Sequence, residues 1–553
     1  MATIPEGRDD KRGGYATLPG MKLVKAMAMV AGTTGISRIV GFIRDMMTAY
    51  FLGAGPVADA FVVALKLPNF FRNVTAEGAF SVSFVPIYSQ TLAEKGEGAA
   101  GKFAGESLSV MMFYLFAFTA VMMAAMPWVL YAIAPGFDAG TERYDLAVHL
   151  TRVTFPYLML MSVASLMGGM LNAHEKFGPF AAASIFFNLC QIGVMVFARD
   201  LFPTVGHALA WAVTGSGFVQ IAWLLWHLKR HKIRLPIVRP SLTPEVRRLF
   251  RTMGPGVLAA GIVHVNLFAD ITIASLFGTG IISGLYYADR LFQLPLGVVG
   301  IAVGTALLPM LTKAFTTGKA EEARDLFNRS LEYCLFLTVP AALAMAVLNE
   351  ELVATLFQHG AFTPEDGRVT VKALACLSMG LPAYVGIKVF LSAYWARHDT
   401  VTPAKISAMM ALANIAVALG LTFIIGPVGI ALATAISGWV QCFILWRGLR
   451  DDPAIGFDVR LKYVVPRIFA CSAIMSVVLW VMTYFMAGLF DGHAVKQVFA
   501  LGVLVVAGAA VYFAAAQATG TMRLGDILVY LKRAPKADAA SITRETIEDS
   551  ESS

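Results

Sequence analysis

Residues 37–90, from Ser37 to Gln90, read SRIVGFIRDMMTAYFLGAGPVADAFVVALKLPNFFRNVTAEGAFSVSFVPIYSQ, and the fold follows from how this stretch is interpreted. It is long enough to cross a bilayer twice, out to a turn at Gly53 to Pro56 and back. Yet it places Arg38, Arg44, Asp45, Asp59, Lys66, Arg72 and Glu77 at membrane depth. A charge at the centre of a membrane helix costs about 2.5–3.5 kcal/mol on insertion scales, so such a cluster persists only where it faces a polar cavity, a partner or a charged ligand. The two helices are therefore expected to line a water-filled, cationic transport cavity.

The rest of the chain fits a membrane setting. Of its 553 residues 57% are hydrophobic and 14% charged, with a mean hydropathy of +0.67, the profile of an all-α polytopic membrane protein. Apolar runs of roughly 17 to 30 residues predict about fourteen transmembrane helices, the first from near Leu23 and the last from near Val495. Kinks or breaks are expected at Pro68, Pro86, Pro156, Pro295, Pro309, Pro340 and Pro382, where neighbouring helices or water must satisfy the freed backbone groups. The first twenty residues lack an apolar core followed by a small-residue cleavage site, so the first apolar run is expected to be retained as a helix. Five scattered cysteines without a CxxC pair read as buried thiols.

The formal net charge of +8 is mostly a topology signal. With the N-terminus in the cytoplasm, the basic residues gather in the N-terminal arm, the even-numbered connections and the C-terminal tail. The outer side receives only Arg143, Arg199, Arg368 and Lys496. Both termini are thus expected in the cytoplasm, and nucleic acid is excluded as a partner. The connection from His231, HKIRLPIVRPSLTPEVRRLFRTM, is basic and broken by three prolines. Pro244 suits the first helical position after Thr243 as N-cap, opening an amphipathic helix on the anionic cytoplasmic leaflet.

An internal repeat sets the domain organisation. RDMMTAYFLGAG from Arg44 matches ADITIASLFGTG from Ala269 at an offset of about 225, and GHALAWAVTGSGFVQ from Gly206 matches GIALATAISGWVQ from Gly429 at about 223. The expected plan is a cytoplasmic arm (1–22), an N-lobe of six helices (23–229), an amphipathic linker (230–252) and a C-lobe of six helices (253–447). Two extra helices (463–520) and a cytoplasmic tail (521–553), disordered at its acidic end, complete it. Six is even, so both lobes enter the membrane in the same sense. Their pseudo-two-fold axis is expected along the membrane normal, with the substrate site between them.

On a continuous helix, Asp59, Lys66 and Glu77 fall near one face, and Arg38 shares a face with Asp45. The second half adds Asp270, Asp289, Arg290 and Lys388. Bases outnumber acids, so the pocket stays cationic even if every acid pairs, and arginine's planar fork suits phosphate. The alternative is a set of internal salt bridges that hold helices in register, a reading that stays open above all for Asp45, Asp270, Asp289 and Lys388, alongside ion coupling. Gly300 and Gly304 read as close helix packing. GEGAAGKF, from Gly96, resembles a phosphate loop but has Phe103 where Ser or Thr is required and no preceding strand. No catalytic or metal-ligand spacing stands out, so no enzyme activity and no cofactor is expected. The acids allow coupling to membrane potential, sodium or protons without selecting among them.

In SRIVGFIRD, ADAFVVALKLPNFFR, AEGAFSVSFVPI, YYADRL and APGF this sequence resembles the MurJ/MviN family of lipid II flippases, within the superfamily of multidrug, oligosaccharidyl-lipid and polysaccharide exporters. The resemblance spans about Leu23 to Gly520. It implies fourteen helices in two lobes, a central cationic cavity and a lipid-open groove made by the last two helices. It also implies translocation of lipid-linked disaccharide-pentapeptide from the cytoplasmic to the outer leaflet of the bacterial inner membrane. By motif position the family's cavity arginines fall on Arg38, Arg44, Arg72 and Arg290, and its acidic positions on Asp59 and Glu77. Asn73 stands where members often carry a second arginine. Lipid II and membrane lipids are the implied partners. Export of another lipid-linked oligosaccharide, or a scaffold role among cell-wall synthesis proteins, are the alternatives. Nothing in the sequence speaks to oligomeric state.

Overall fold

A computed structural model describes residues 19–263, 265–450, 452, 455–490 and 493–521, and their side chains except at 19–28, 31, 76–79, 258–260, 262–265 and 301–306. The expected N-terminal arm up to 18 and the tail from 522 lie outside the described residues. Everything regular in the described chain is helical. The first half comprises α1 (Pro19–Leu52), α2 (Pro56–Phe71), a π-helical segment (Arg72–Phe80), α3 (Ser81–Ala124), α4 (Met126–Ile133), α5 (Glu142–Thr154), α6 (Tyr157–Ala173), α7 (Gly178–Phe197) and α8 (Val205–Arg230). The second comprises α9 (Pro244–Val263), α10 (Val265–Ser275), α11 (Ile281–Thr316), α12 (Ala320–Val347), α13 (Asn349–Leu356), α14 (Pro364–Ala396), α15 (Val401–Ile425) and α16 (Val428–Leu449), with α17 (Val459–Phe490) and α18 (Ala494–Ala518) at the end. Among the described residues, ten helices are long and apolar enough to cross a membrane.

Helix boundaries follow local chemistry. Proline opens α2, α9 and α14 near the first position, where its missing N–H costs nothing. Thr363 and Asp366 close a reciprocal capping box on α14. Pro156 separates α5 from α6, whereas Pro340 and Pro382 stay inside α12 and α14. Gly96, at φ +79°, bends α3 in two, a conformation a residue with Cβ avoids. Pro68 lies one turn before the π-helical segment. The wider turn there ends the continuous-helix register on which a shared face for Lys66 and Glu77 depended.

Helices of each half pack mainly with their own half: α1, α7 and α8, α2 with α5, and α3 with α6 in the first, and α14 with α11, α12 and α16 in the second. Lipid is as apolar as leucine, so cohesion comes from close backbone approach and polar bonds. Thr154 Oγ1 donates to the Ala64 carbonyl at 2.7 Å, and Gln220 Nε2 to that of Ala183 at 2.9 Å. Helix α9 crosses over, packing on α3 and the π-helical segment of the first half. The last pair, α17 and α18, packs on α12 and α13. It is also tied there by charge, since Arg329 bonds both Glu332 and Asp458, and Arg460 reaches Glu332 at 2.9 Å.

Candidate functional site

One seam and two cavities lie between the halves. At one end, loops meet main chain to main chain. The Ala361 amide donates to the Tyr50 carbonyl at 2.8 Å and the Tyr287 hydroxyl to that of Gly53 at 3.0 Å. A Cβ on Gly53 would stand 2.6 Å from the Ala361 carbonyl, and one on Gly136, Gly280 or Gly360 would overlap the backbone of Ser275, Ala54 or Tyr50 respectively. The sequence offset reappears in this layer, because the eight-residue helices α4 and α13 start at Met126 and Asn349.

Asp59 is the chemical centre of this end. It is fully buried and accepts from Arg143 Nη2 at 2.7 Å, the Gly280 amide at 2.8 Å, and the Ser283 amide and hydroxyl, each at 2.8 Å. It therefore caps the N-terminus of α11 from across the molecule. The expectation that Asp59 lines the cavity beside Lys66 is corrected. Seven residues of helix preserve direction but separate the two by about 10 Å along the axis, so one carboxylate reaches the seam and the ammonium reaches the cavity. Arg143, expected on the outer surface, is buried and stacked 3.8 Å from the Phe137 ring centroid.

Beyond the seam a cavity of about 850 Å³ opens between the halves. Its wall carries Arg38, Arg44, Lys66, Arg72 and Arg290, with Asp289 the acid among the described side chains that line it. Asp45 stands behind Arg44 at 2.6 Å and accepts from the Tyr286 hydroxyl at 3.0 Å, so the Arg44 pair is also a bridge between halves. Arg290 lies 3.6 Å from Asp289, which also accepts from Gln293 at 2.6 Å. Arg72 Nη2 donates to Asn73 Oδ1 at 3.2 Å, which is where the departure from the family pattern falls. The side chain of Glu77 lies outside the described residues.

A second cavity, about 140 Å³, shares Lys66 and Asp289 with the first and adds Asp270 and Thr434. Lys388 joins neither. Its ammonium occupies the notch at Gly300, while the Arg38 guanidinium occupies the one at Gly297. Among the described residues no carboxylate pairs with Lys388, and the charged group acting on it is Arg38, of like sign. Gly300 thus receives a cationic side chain where close helix packing was expected. The structure therefore gathers five sequence-expected bases around one chamber, sends Asp59 to the seam and adds Arg143, Ser283, Tyr286 and Gln293. A dense set of bases facing few acids across one chamber suits a phosphate-bearing ligand.

The family described as "Lipid II flippase MurJ" matches residues 48–500. A "Probable lipid II flippase MurJ" of Rhizobium meliloti is 40% identical over 531 residues, 95% of this chain and 98% of the relative. The "Lipid II flippase MurJ" of Burkholderia cenocepacia is 30% identical over 501 residues, 89% and 96% of the two chains. Among solved structures, "Lipid II flippase MurJ, inward closed conformation" aligns with a TM-score of 0.74 at 23% identity, covering 88% of this chain and 98% of that one. An inward-facing multidrug resistance MATE family transporter of the MOP superfamily aligns at 0.63 and 16% identity, covering 77% and 96%. The last two likenesses speak to fold alone.

Proposed function

This chain belongs to the lipid II flippase MurJ family, and from that membership we propose that it moves lipid II from the cytoplasmic to the periplasmic leaflet of the bacterial inner membrane by alternating access. The observation that carries the reading is the chamber of about 850 Å³ walled by Arg38, Arg44, Lys66, Arg72 and Arg290. A lipid pyrophosphate is a polyanion whose polyprenyl tail can remain in lipid, so only its headgroup needs a wet, cationic path. In this proposal the arginines and Lys66 grip the pyrophosphate, and no bond is made or broken.

The chain then crosses the membrane fourteen times, with α2, the π-helical segment and the start of α3 as one crossing, and α5–α6 and α9–α10 as one each. Six crossings form each lobe about a pseudo-two-fold along the membrane normal. The lobes are residues 23–229 and 253–447, α17 and α18 shelter the lipid tail, and both termini are cytoplasmic. The seam around Asp59 is then the periplasmic gate, closed here. Asp270 and Asp289, beside Lys66, are the acids through which sodium, protons or membrane potential would act.

Replacing Arg44 by Ala is expected to abolish flipping while leaving expression intact, and depletion of the protein to accumulate lipid-linked precursor on the cytoplasmic side. Normal growth of cells that depend on the Arg44→Ala protein would refute the proposal. Competition between defined lipid-linked donors separates lipid II from other oligosaccharide lipids.

A further inference from the structure

The linker between the halves is not a helix until Pro244. Pro236, Pro240 and Pro244 remove amide donors and bias the preceding residues toward extended backbone. The resulting strip lies along α3. Ser109 Oγ donates to the Val238 carbonyl at 2.5 Å and Thr243 Oγ1 to Glu106 Oε2 at 3.0 Å. A Cβ on Gly101 would come 2.9 Å from the Arg234 carbonyl, and one on Gly105 would overlap that of Pro236. The strip is thus pinned to the first half by backbone contacts and by the Thr243 side chain, with Ile233 and Leu235 packed against the core and Arg234, Ile237, Arg239 and Leu242 left exposed.

What it displays is one-sided. The eight Lys and Arg between Lys229 and Arg251 are all exposed, and among the described residues none is in an ion pair. The one acid in the interval, Glu245, is taken by Lys95 at 3.0 Å. Among these bases Ile237 is 94% exposed and Leu242 53%. Bases flanking bare aliphatic side chains match a surface of phosphates over hydrocarbon. We propose that the strip from Lys229 to Arg251 is a binding surface for anionic phospholipid, with Ile237 and Leu242 inserted below the headgroups. Its placement on the cytoplasmic leaflet rests on the orientation proposed above. Because the strip and the start of α9 are fastened to α3, bound lipid anchors the first half and the start of α9 together.

Trp226 is half-exposed, with the Arg230 guanidinium 5.3 Å from its ring, and reports on lipid at this place. The full-length protein is reconstituted in vesicles of three parts phosphatidylcholine to one part phosphatidylglycerol, with bromine on the chains of one lipid or the other. The Trp226 signal is the fluorescence that a Trp226→Phe control lacks. Phosphatidylglycerol should quench it several-fold more per mole than phosphatidylcholine, and about 0.5 M salt should erase the excess. Exchanging Arg239, Arg247, Arg248 and Arg251 together for Gln should lower that excess about ten-fold or more, given the attraction each base adds near an anionic surface, while the same four exchanged for Lys should keep it. Equal quenching by the two lipids, or an excess that survives in the glutamine variant, overturns the proposal. So does loss of the excess on adding one equivalent of undecaprenyl diphosphate, which would assign the strip to substrate. Quenching requires neither transport nor an assigned orientation, so a failed flipping assay would leave this result standing.

Discussion

Asp59→Asn isolates what holds the seam. The carboxylate makes four bonds, but they divide by partner. Arg143 is in the same half and stays beside it when the halves part, while the Gly280 amide and both Ser283 donors belong to the other half. Only the latter three count toward closure. Hydrogen bonds to a charged acceptor contribute about 1.5–3 kcal/mol each, and part of that is recovered from water once the seam opens. A closure energy of about 3 kcal/mol is a fair figure, and removing the charge shifts the closed-to-open ratio by about 100-fold. Ser283→Ala removes one of the three donors and should cost about 1 kcal/mol, roughly a five-fold shift. Cysteines at Tyr50 and Ala361, whose backbones bond at 2.8 Å, give the assay. Disulfide formation should be extensive in the parent, slightly reduced with Ser283→Ala and strongly reduced with Asp59→Asn. Cross-linking in Asp59→Asn equal to the parent would refute the reasoning. So would a loss of undecaprenyl diphosphate binding by Asp59→Asn once the seam is locked by the 50–361 disulfide, because that would make Asp59 a ligand.

Other outcomes follow from the same geometry. Gly360→Ala combines a φ of +63° with overlap on the Tyr50 carbonyl, so a cysteine at Ala54, 5% exposed, should become reactive to a membrane-impermeant maleimide. Glu332→Gln removes the buried carboxylate shared by Arg329 and Arg460, leaving Arg329 to Asp458 and Asp325. It should lower the melting temperature and expose α17 to protease first, with a loss of about 1 kcal/mol because the remaining pairs and solvent offset part of the cost. The Thr402 backbone amide, bonded at 3.0 Å, holds the Asp399 carboxyl below the usual carboxylate range. A depressed pKa adds stability above the unfolded value, about 3.9, and loses it as pH falls through the folded value. Asp399→Ala should therefore melt earlier at neutral pH, with the difference closing in acid.

The cavity bases were legible because uncompensated charge in an apolar run has few explanations. Arg38, Arg44, Lys66, Arg72 and Arg290 all reach one chamber. The misplaced residue, Asp59, failed for a geometric reason, since helical spacing gives direction around an axis but not which neighbour waits at each height. Arg143 was missed because counting bases by side treats outer ones as solvated, and nothing local reveals that Phe137 covers it. Helices as short as α4 and α13 carry too few turns to register as periodic patterns. The wide turn after Phe71 likewise has no signal beyond Pro68.

The glycine contacts at 53, 136, 280 and 360 have an energetic corollary for transport. Where the seam is closed by amides, carbonyls and the Asp59 carboxylate, incoming water can adopt the vacated bonds almost at par when it parts. In the proposed cycle, the charge on Asp59 then contributes directly to the threshold for opening.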